Sequence, residues 1–390
     1  MKNFEWKVVV IDHESFSHRK QRHYYVDEFL SSGIAVEYWD VSKVLKYSKH
    51  IKYNESVEAD YVKKLVNFRD IIDSISVLNV ENTVLILEFY LKKETLKLYQ
   101  LIHQRKIKWV RINYYHNPTM YLDVHDSMYN KFLKIFDFKR VINKLNNTIL
   151  KRYRNLSVPD IAFLTGSEKS VEAKKIVSLD FFDVEEYNNS ILIDKAAICE
   201  EPYVVFLDIM FSHHPDLQRA GILTISKDIY FEKMRYFFDR LEEKLKKPII
   251  VASHPKANYN GEYGNRMTIK NQTCELVKGA DLILTHGSLS ISYALLAKKP
   301  ILYLYFEEML KTTDMRFYYN RMEKAKKELG TEMININSKD LDFDIPAVQN
   351  DKYEEFLKKV YLKNLDDSRS NFQIIQENLV QLIKKESFNK

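Results

Sequence analysis

Glycine, proline and cysteine are all scarce in this chain. Its 390 residues contain eight glycines, eight prolines and two cysteines, Cys199 and Cys274. So few cysteines exclude a disulfide framework and a cysteine-rich metal site, and they fit a reducing compartment. The glycine-built phosphate loops Gly-x-Gly-x-x-Gly and Gly-x-x-x-x-Gly-Lys are absent. Any phosphate group must therefore be bound by other donors.

Long apolar runs are missing as well. No run approaches the roughly 20 apolar residues that a membrane-spanning helix needs. The N-terminus enters a strand-like segment at Val8 without the apolar core of a signal peptide. We therefore expect a cytoplasmic protein whose membrane contacts are at most peripheral. The net charge of +6 is small beside 60 basic and 54 acidic residues, so nucleic acid is not an expected partner.

The chain does contain enough apolar and aromatic residues to form two hydrophobic cores. The hydrophobic fraction is 45%, the aromatic fraction is 13%, and the length exceeds that of a usual single domain. Short apolar runs alternate with segments of helical spacing, which predicts α/β domains with parallel sheets. We expect a Rossmann-like N-terminal domain at residues 1–190 and a Rossmann-like C-terminal domain at 200–345. We also expect helices at 350–390, and one possible arrangement is that they cross back to the first domain.

The individual elements are predicted from the spacing of apolar residues. In the first half the expected strands are 6–11, 35–39, 83–87 and 109–114, and the expected helices are 24–32, 61–74 and 93–105. In the second half the expected strands are 203–207, 248–252, 281–284 and 300–304, and the expected helices are 227–245, 272–278, 290–297, 352–362 and 368–385. Residues 180–189 are expected to form a connection.

Residues 131–154 combine apolar positions at helical spacing with many lysines and arginines. This pattern predicts a basic amphipathic helix or helix pair. Such a segment usually packs its apolar side on its own domain and leaves its lysines in solvent. The functional alternative is binding to anionic lipid at the inner face of a bacterial plasma membrane, close to a lipid-linked acceptor.

Polar residues follow the predicted strands of the second half. Because ligands bind at the carboxyl ends of strands in open parallel sheets, these residues are the candidate nucleotide-binding site. They are Asp208 after the first strand, Ser253, His254, Pro255 and Lys256 after the second, and Thr285, His286, Gly287, Ser288 and Ser290 after the third.

The chemistry of these residues suits a phosphate. His254 can donate a hydrogen bond or a proton to a leaving phosphate, and Pro255 fixes the backbone beside it. Gly287 permits a tight turn, and Ser288 or Ser290 would lie at a helix start that favours an anion. Serine there is also an ordinary helix cap. The histidines at 213, 214 and 286 lack the spacing of a typical zinc site, so we expect no catalytic metal.

The His-Pro pair and the serine motif resemble those of bacterial transferases of the GT-B fold that use CMP-activated acidic sugars, the sialyltransferase-like and Kdo transferase families. The matching residues are His254-Pro255 and Ser288-Leu289-Ser290. The chain also resembles proteins of surface-polysaccharide and nonulosonic-acid gene clusters, through Phe206-Leu207-Asp208, His214-Pro215-Asp216 and Ala297-Lys298-Lys299-Pro300. The resemblance implies two domains facing each other across a cleft, with the nucleotide on the second.

The resemblance does not extend to the catalytic carboxylate. The sialyltransferase-like families carry it in an acidic-acidic-Gly triplet of the N-terminal domain, which this sequence lacks. By position, the candidates for the general base are Asp12 and Glu14 after the first strand, Glu88 after the third, and His116 after the fourth. Asp12 ranks first among them.

The sequence therefore leads to a metal-independent glycosyltransferase that needs no cofactor. Its donor would be a nucleotide sugar, first of all a CMP-linked nonulosonic acid, and its acceptor a surface glycan or glycolipid. Three alternatives stay open on the same scaffold: a transferase that uses UDP- or GDP-sugars, a nucleotide-sugar epimerase, and a non-catalytic binding protein of glycan assembly.

Overall fold

The computed structural model describes residues 6–45, 57–113, 152–165, 172–191, 198–214, 217, 225–363 and 367–384. Within these residues the strands form two separate parallel sheets with helices packed against them. The predicted α/β class is confirmed. Each sheet has its own buried apolar cluster, so the chain has the two cores that its length predicts.

The first sheet is built from the first half of the chain. Its strands are β1 (Lys7–Asp12), β2 (Ala35–Asp40), β3 (Val62–Lys64), β4 (Thr83–Glu88), β5 (Lys108–Asn113), β6 (Ile161–Thr165) and β7 (Lys175–Leu179). They lie in the order β3-β2-β1-β4-β5-β6-β7, and all neighbours are parallel. Because β1 and β4 are central and covered on both faces, their valines, leucines and isoleucines are buried. The register pairs the last residues of these two strands, Asp12 and Glu88.

Short helices connect these strands. They are α1 (His18–His23), α2 (Val26–Ser31), α3 (Ser42–Leu45), α4 (Phe68–Ser76) and α5 (Leu96–Gln104), with a 3-10 turn at Arg154–Ser157. Helix α4 begins where Asn67 and Asp70 exchange hydrogen bonds as a capping box. Helix α1 begins at Ser17, whose hydroxyl accepts from the Lys20 amide. This cap turns the chain sharply after β1 and keeps the basic residues of α1 beside the end of the strand.

The second sheet repeats the pattern. Its strands are β8 (Val204–Leu207), β9 (Ile249–Ala252), β10 (Thr268–Ile269), β11 (Leu282–Thr285), β12 (Ile301–Tyr305) and β13 (Glu332–Asn335), in the order β10-β9-β8-β11-β12-β13. Its helices are α6 (Phe182–Ile191), α7 (Lys227–Leu245), α8 (Thr273–Gly279), α9 (Ile291–Leu296), α10 (Thr313–Leu329) and α11 (Asn350–Val360), with a 3-10 turn at Glu307–Leu310. All its strand pairs are parallel, so the carboxyl ends of β8, β9 and β11 meet at one edge.

The last helix, α12 (Asn371–Lys384), returns to the first domain. Ile374, Ile375 and Leu379 belong to the same buried cluster as Val8 and Val10 of β1. The two segments that cross between the domains are joined by hydrogen bonds: Asp180 accepts from the Lys363 amide and donates its own amide to Asn371. The first domain therefore contains residues from both ends of the chain.

Some elements differ from the sequence prediction. Residues 62–64 form an edge strand where a helix over 61–74 was expected, and the helix begins only at the Asn67 cap. Residues 182–191 form α6 rather than a connection, because packing on α8 and α9 stabilises a segment whose own amphipathic pattern is weak. The prediction also omitted the helices α1, α3 and α10 and the strands β6, β7, β10 and β13.

The basic segment lies almost wholly outside the described residues, which resume at residue 152. Its helical character stays a prediction. Among the described helices, none is both long enough and apolar enough to cross a membrane.

Candidate functional site

The site in the first domain is centred on Asp12, at the end of β1. Asp12 is fully buried, and both of its carboxylate oxygens have partners. Oδ1 accepts from the Glu14 amide at 2.9 Å, and Oδ2 accepts from the Tyr24 hydroxyl at 2.7 Å and pairs with the Lys20 ammonium at 2.6 Å. Lys20 also lies 3.2 Å from Glu14. Burial alone would lower the pKa of Lys20, but the nearby carboxylates raise it above its ordinary value.

Glu88 lies beside Asp12 at the end of β4. Its Oε1 is buried and has no hydrogen-bond partner. Burial, together with the negative charge of Asp12, raises the pKa of the Glu88 carboxyl to about 8, although Lys20 and Arg111 act in the opposite direction. At neutral pH Glu88 is therefore mostly protonated, whereas Asp12 is held as the partner of an ammonium group.

His13, which the sequence analysis did not consider, is oriented by both of these residues. Its Nδ1 lies 2.6 Å from the Glu88 carbonyl oxygen and 3.5 Å from Asp12 Oδ1. A carbonyl oxygen only accepts, so Nδ1 carries the proton, and Nε2 has the basic lone pair. The side chain is 30% exposed, whereas that of Asp12 is fully buried. The signal in the sequence was an imidazole between two candidate carboxylates directly after a strand.

The remaining base candidates have different outcomes. Glu14 is partly exposed next to Lys20 and shares the cluster with Asp12 and Glu88. The structure thus brings together the three carboxylates that were predicted as base candidates. His116 lies outside the described residues, so its placement stays a prediction.

Asp208, at the end of β8, organises the second domain's edge. It is 4% exposed and accepts hydrogen bonds from the Tyr259 hydroxyl at 2.6 Å and the Tyr263 hydroxyl at 2.9 Å. It also accepts from the amides of Met210 and His254. Burial raises the pKa of Asp208, and these donors oppose the rise. With all its acceptor positions used inside the protein, Asp208 fixes the loop that carries His254.

His254 lies in a β-turn that follows β9. The turn is closed by a hydrogen bond from the Ala257 amide to the His254 carbonyl, and Pro255 occupies its second position, which favours proline. Ser253 is buried and donates its amide to Ile269 of β10. The Lys256 amide donates to His254 Nδ1 at 3.1 Å, so the imidazole proton is on Nε2.

The surroundings of His254 are positively charged. Burial, together with the nearby basic groups His214, Lys256 and Arg19, lowers the pKa of His254 to about 3. The His214 and His254 rings are in edge contact, with centroids 5.0 Å apart. His254 is therefore a neutral hydrogen-bond donor at pH 7. Pro215 and Asp216, which follow His214, lie outside the described residues.

The Gly287 turn follows β11 and leads into α9. Gly287 has φ +94°, so a side chain would strain the backbone there. Thr285 Oγ1 accepts from the amides of Gly287 and Ser288, and Ser288 Oγ accepts from the Ser290 amide. These side chains occupy amides that the sequence analysis assigned to a phosphate. Helix α9 is also only six residues long. The turn is a rigid support next to the candidate site. Phosphate contact by its serines stays a prediction.

His286 lies beneath this turn and is 1% exposed. Its Nδ1 donates to the Leu304 carbonyl at 2.7 Å, and its ring contacts Phe206, Phe211 and Phe306. Burial lowers its pKa to about 4. The described residues contain no cluster of three metal-ligating side chains that includes it or the His213-His214 pair.

The two sites approach each other through α1. Arg19 acts electrostatically on His254 and also on Asp183 at the start of α6. Arg22, on the same helix, lies 3.9 Å from Glu186 of α6. The segment that follows β1 therefore faces the second domain's loops, and the carboxyl edges of the two sheets lie on opposite sides of one cleft.

Comparisons with known proteins place this arrangement in a fold class. No protein-family model matches the sequence, and no similar curated protein was found. The structure is similar to that of a variant of the wall teichoic acid polymerase TagF, with a TM-score of 0.54 and 12% identity over 97% of this chain and 89% of that one. The chain thus has the predicted GT-B fold, with two parallel-sheet domains.

Further solved structures have lower scores. The spinosyn forosaminyltransferase SpnP gives a TM-score of 0.47 at 10% identity, covering 97% of this chain and 99% of that one. A putative UDP-N-acetylglucosamine 2-epimerase from Listeria monocytogenes gives 0.44 at 9% identity, covering 92% of both chains.

Proposed function

We propose that this protein is a glycosyltransferase that moves a sugar from a nucleotide donor to an acceptor hydroxyl. The observation that carries the proposal is the position of His254, a neutral donor surrounded by basic groups from both domains. A phosphate bound there would find His214 and Lys256 on the second domain and Arg19 on the first. On the other side of the cleft, His13 and the carboxylates of the first domain provide a general base for the acceptor hydroxyl.

On the donor side, His254 offers Nε2–H to the phosphate oxygen that departs from the sugar. Since the pKa of the His254 imidazole is about 3, its role at first contact is hydrogen bonding rather than transfer of a full proton. The phosphate's own charge would then raise that pKa and strengthen the interaction. Lys256 and Arg19 add positive charge where negative charge develops on the leaving nucleotide.

On the acceptor side, His13 is the base that this geometry favours. Its Nε2 takes the proton of the acceptor hydroxyl, the acceptor oxygen bonds to the anomeric carbon, and the bond from that carbon to the phosphate oxygen breaks. The electron pair of that bond leaves with the nucleotide. Asp12 and the Glu88 carbonyl hold Nδ1 and stabilise the imidazolium that forms. Asp12, ranked first from the sequence, becomes a positioning residue in this proposal.

The identity of the donor rests on the sequence resemblance. A CMP-linked nonulosonic acid is the first candidate, because His254-Pro255 and the Ser288 to Ser290 motif resemble those of CMP-sugar transferases. UDP- or GDP-linked sugars are the alternative on the same fold. The similarity to a wall teichoic acid polymerase supports a second candidate function, the synthesis of an anionic cell-wall polymer. Epimerisation and non-catalytic binding stay as competing functions. None of these roles requires a metal or a cofactor.

The acceptor and its location are proposed on the same basis. We place the protein in the cytoplasm, at the inner face of the plasma membrane, with a lipid-linked glycan as acceptor. The reason for this placement is the basic character of residues 131–154, since a basic amphipathic segment binds anionic lipid. Sedimentation with vesicles of anionic and of zwitterionic lipid tests it, and equal binding to both would contradict it.

The decisive test is a binding screen by ligand-observed NMR against CMP, UDP, GDP and their sugar conjugates, with wild type and His254→Ala. Selective CMP binding that weakens in the variant supports a CMP-sugar transferase. Selectivity for UDP or GDP changes the donor. If no nucleotide binds, the transferase proposal is wrong. Incubation of the donor alone then separates transfer from epimerisation, because an epimerase converts its nucleotide sugar without an acceptor.

A further inference from the structure

Arg321, in the middle of α10, is a buried arginine whose guanidinium has no hydrogen-bond acceptor and no carboxylate partner among the described residues. Its exposed fraction is 7%, and its Nε is enclosed without a hydrogen-bond acceptor. The guanidinium of Arg321 lies over the ring of Phe317, and its central carbon is 4.1 Å from the ring centroid. Burial lowers the pKa of the Arg321 guanidinium, and the nearby Tyr318 hydroxyl acts to raise it. The side chain stays charged at neutral pH, because an arginine is not deprotonated in proteins.

Other arginines of the described chain that are partly or largely buried have acceptors. Those acceptors are backbone carbonyls for Arg105, Arg111 and Arg240, and the carboxylates of Asp239 and Glu242 for Arg266. The contrast matters because an enclosed charge without a counter-charge is costly. An anion that binds from outside would supply the missing counter-charge.

The position of Arg321 connects it to the candidate site. The next residue, Met322, lies against Gly287, with its Cγ 3.5 Å from where a Cβ would stand. One turn earlier, the Tyr318 ring contacts Phe211, which follows β8 and precedes the His213-His214 pair. Arg321 therefore lies on the part of α10 that packs against the strand-end loops. Because Phe317 covers a face of the guanidinium, the in-plane N–H donors keep their direction.

We infer that Arg321 binds an oxyanion of the nucleotide donor, a phosphate oxygen, beside the Gly287 turn. The inference rests on the proposed function and deepens it, since it adds a charged residue that the sequence motifs did not indicate. A planar guanidinium binds two phosphate oxygens at once, which a lysine does not. The donor's phosphate would supply the counter-charge that the described residues do not provide to Arg321. A carboxylate of an acidic sugar has the same chemistry, so the test must separate the two sources.

The test compares Arg321→Met with Arg316→Met. Arg316 lies on the same helix, is exposed, and donates to the Leu310 carbonyl. Isothermal titration calorimetry measures the affinity for CMP, cytidine, pyrophosphate and free N-acetylneuraminate. We expect Arg321→Met to weaken CMP and pyrophosphate binding by about tenfold or more and to leave cytidine unchanged. Arg316→Met should match wild type for all four.

Thermal unfolding of the ligand-free proteins gives the second readout. Replacing a charge that has no partner by an apolar chain of similar volume should leave the midpoint unchanged or raise it. A lowered midpoint, or an Arg321→Met protein that does not fold, would mean that Arg321 is structural, and the inference would be wrong. It would also be wrong if CMP and pyrophosphate affinities were unchanged, or if only N-acetylneuraminate binding fell.

The outcome separates this inference from the proposed function. If wild type binds CMP through His254 and Arg321→Met binds it equally well, the proposed function stands and the Arg321 inference fails. If wild type binds pyrophosphate through Arg321 but binds no nucleotide, the anion site stands and the transferase fails. If wild type binds neither pyrophosphate nor any of the nucleotides CMP, UDP and GDP, both are wrong. Arg321→Lys, which keeps the charge but not the paired donors, should have intermediate affinity.

Discussion

Arg19 of α1 lowers the pKa of His254, which lies in the other domain after β9. The two residues are 235 positions apart in the sequence and come from different sheets. Helix α1 leaves the end of β1, where Asp12 holds Lys20, and so the position of Arg19 is tied to the carboxylate cluster. A change in how the domains approach each other would therefore alter the charge around His254.

The first prediction concerns this charge. Arg19→Gln removes a positive charge near His254, so the pKa of His254 should rise from about 3 toward its ordinary value. Titration of the histidine ring protons by NMR measures it. Arg22→Gln, which removes the neighbouring charge beside Glu186, is the control and should have a smaller effect. Saturating nucleotide should raise the same pKa in wild type, because a bound phosphate adds negative charge.

If the His254 resonance titrates identically in wild type and Arg19→Gln, the two domains do not approach each other as described. A pKa that stays the same when nucleotide is bound would place the phosphate elsewhere.

The second prediction concerns His13. His13→Ala should reduce kcat by about 10²- to 10⁴-fold, because the acceptor hydroxyl loses its base. The KM for the donor should change little, since His13 lies on the acceptor side. Nucleotide release in the presence of acceptor measures both. His103→Ala, on an exposed position of α5, is the control. A His13→Ala enzyme with unchanged kcat would return the role of base to Glu14, Glu88 or His116.

The third prediction concerns the anchor of the His254 loop. The Asp208 carboxylate accepts hydrogen bonds from two tyrosine hydroxyls and two backbone amides. In Asp208→Asn, the side-chain amide has one oxygen that accepts and an NH₂ group that only donates, so it cannot accept from all four donors. Leaving these buried donors partly unsatisfied should cost about 1–3 kcal/mol in the free energy of unfolding. Asp239→Asn, which changes an exposed pair with Arg266, should change it by less than about 1 kcal/mol. Chemical denaturation measures both variants.

Nucleotide binding gives an independent check on Asp208→Asn. Because the His254 amide donates to Asp208, the variant should also bind nucleotide more weakly than Asp239→Asn does. Stability and binding equal to those of Asp239→Asn would show that the loop is held by other contacts.

Much of the fold follows from the sequence because buried parallel strands are continuous apolar runs. Residues 203–207 and 281–284 were predicted as strands on this ground. β8 falls within the first range, and β11 overlaps the second and ends one residue beyond it. Edge strands carry weaker signals. Two of the three residues in Val62–Lys64 are lysines, and Thr268–Ile269 is two residues long, so the pairing of these strands depends on a neighbouring strand already in place.

The candidate site was predictable in part for the same reason. Strand ends in a parallel sheet meet at one edge, so Asp12 and Glu88 were both candidates for that edge. That they are direct neighbours follows only from the register of β1 and β4. The sequence could not indicate that Thr285 and Ser288 would use their oxygens on nearby amides. Nor could it indicate that Arg321 would be buried, since its burial depends on how α10 packs against the Gly287 turn.

The last prediction concerns the protonation of Glu88. Its pKa is about 8 in the folded protein and roughly 4.3 in an unfolded chain. The folded state therefore binds more protons between these values. The contribution of Glu88 to stability is fully present below the unfolded pKa and is lost as pH rises through about 8. Glu88→Gln should unfold at the same temperature as wild type near pH 4 and at a higher one near pH 9.

Glu94→Gln is the matched control, because Glu94 is exposed in the turn that precedes α5 of the same domain. It should follow wild type at every pH. Activity separates the two roles open to Glu88. If His13 is the base, Glu88→Gln resembles the protonated carboxyl and should keep most of its activity at pH 7. If Glu88 is the base, the variant is inactive at every pH, because an amide does not accept the hydroxyl proton.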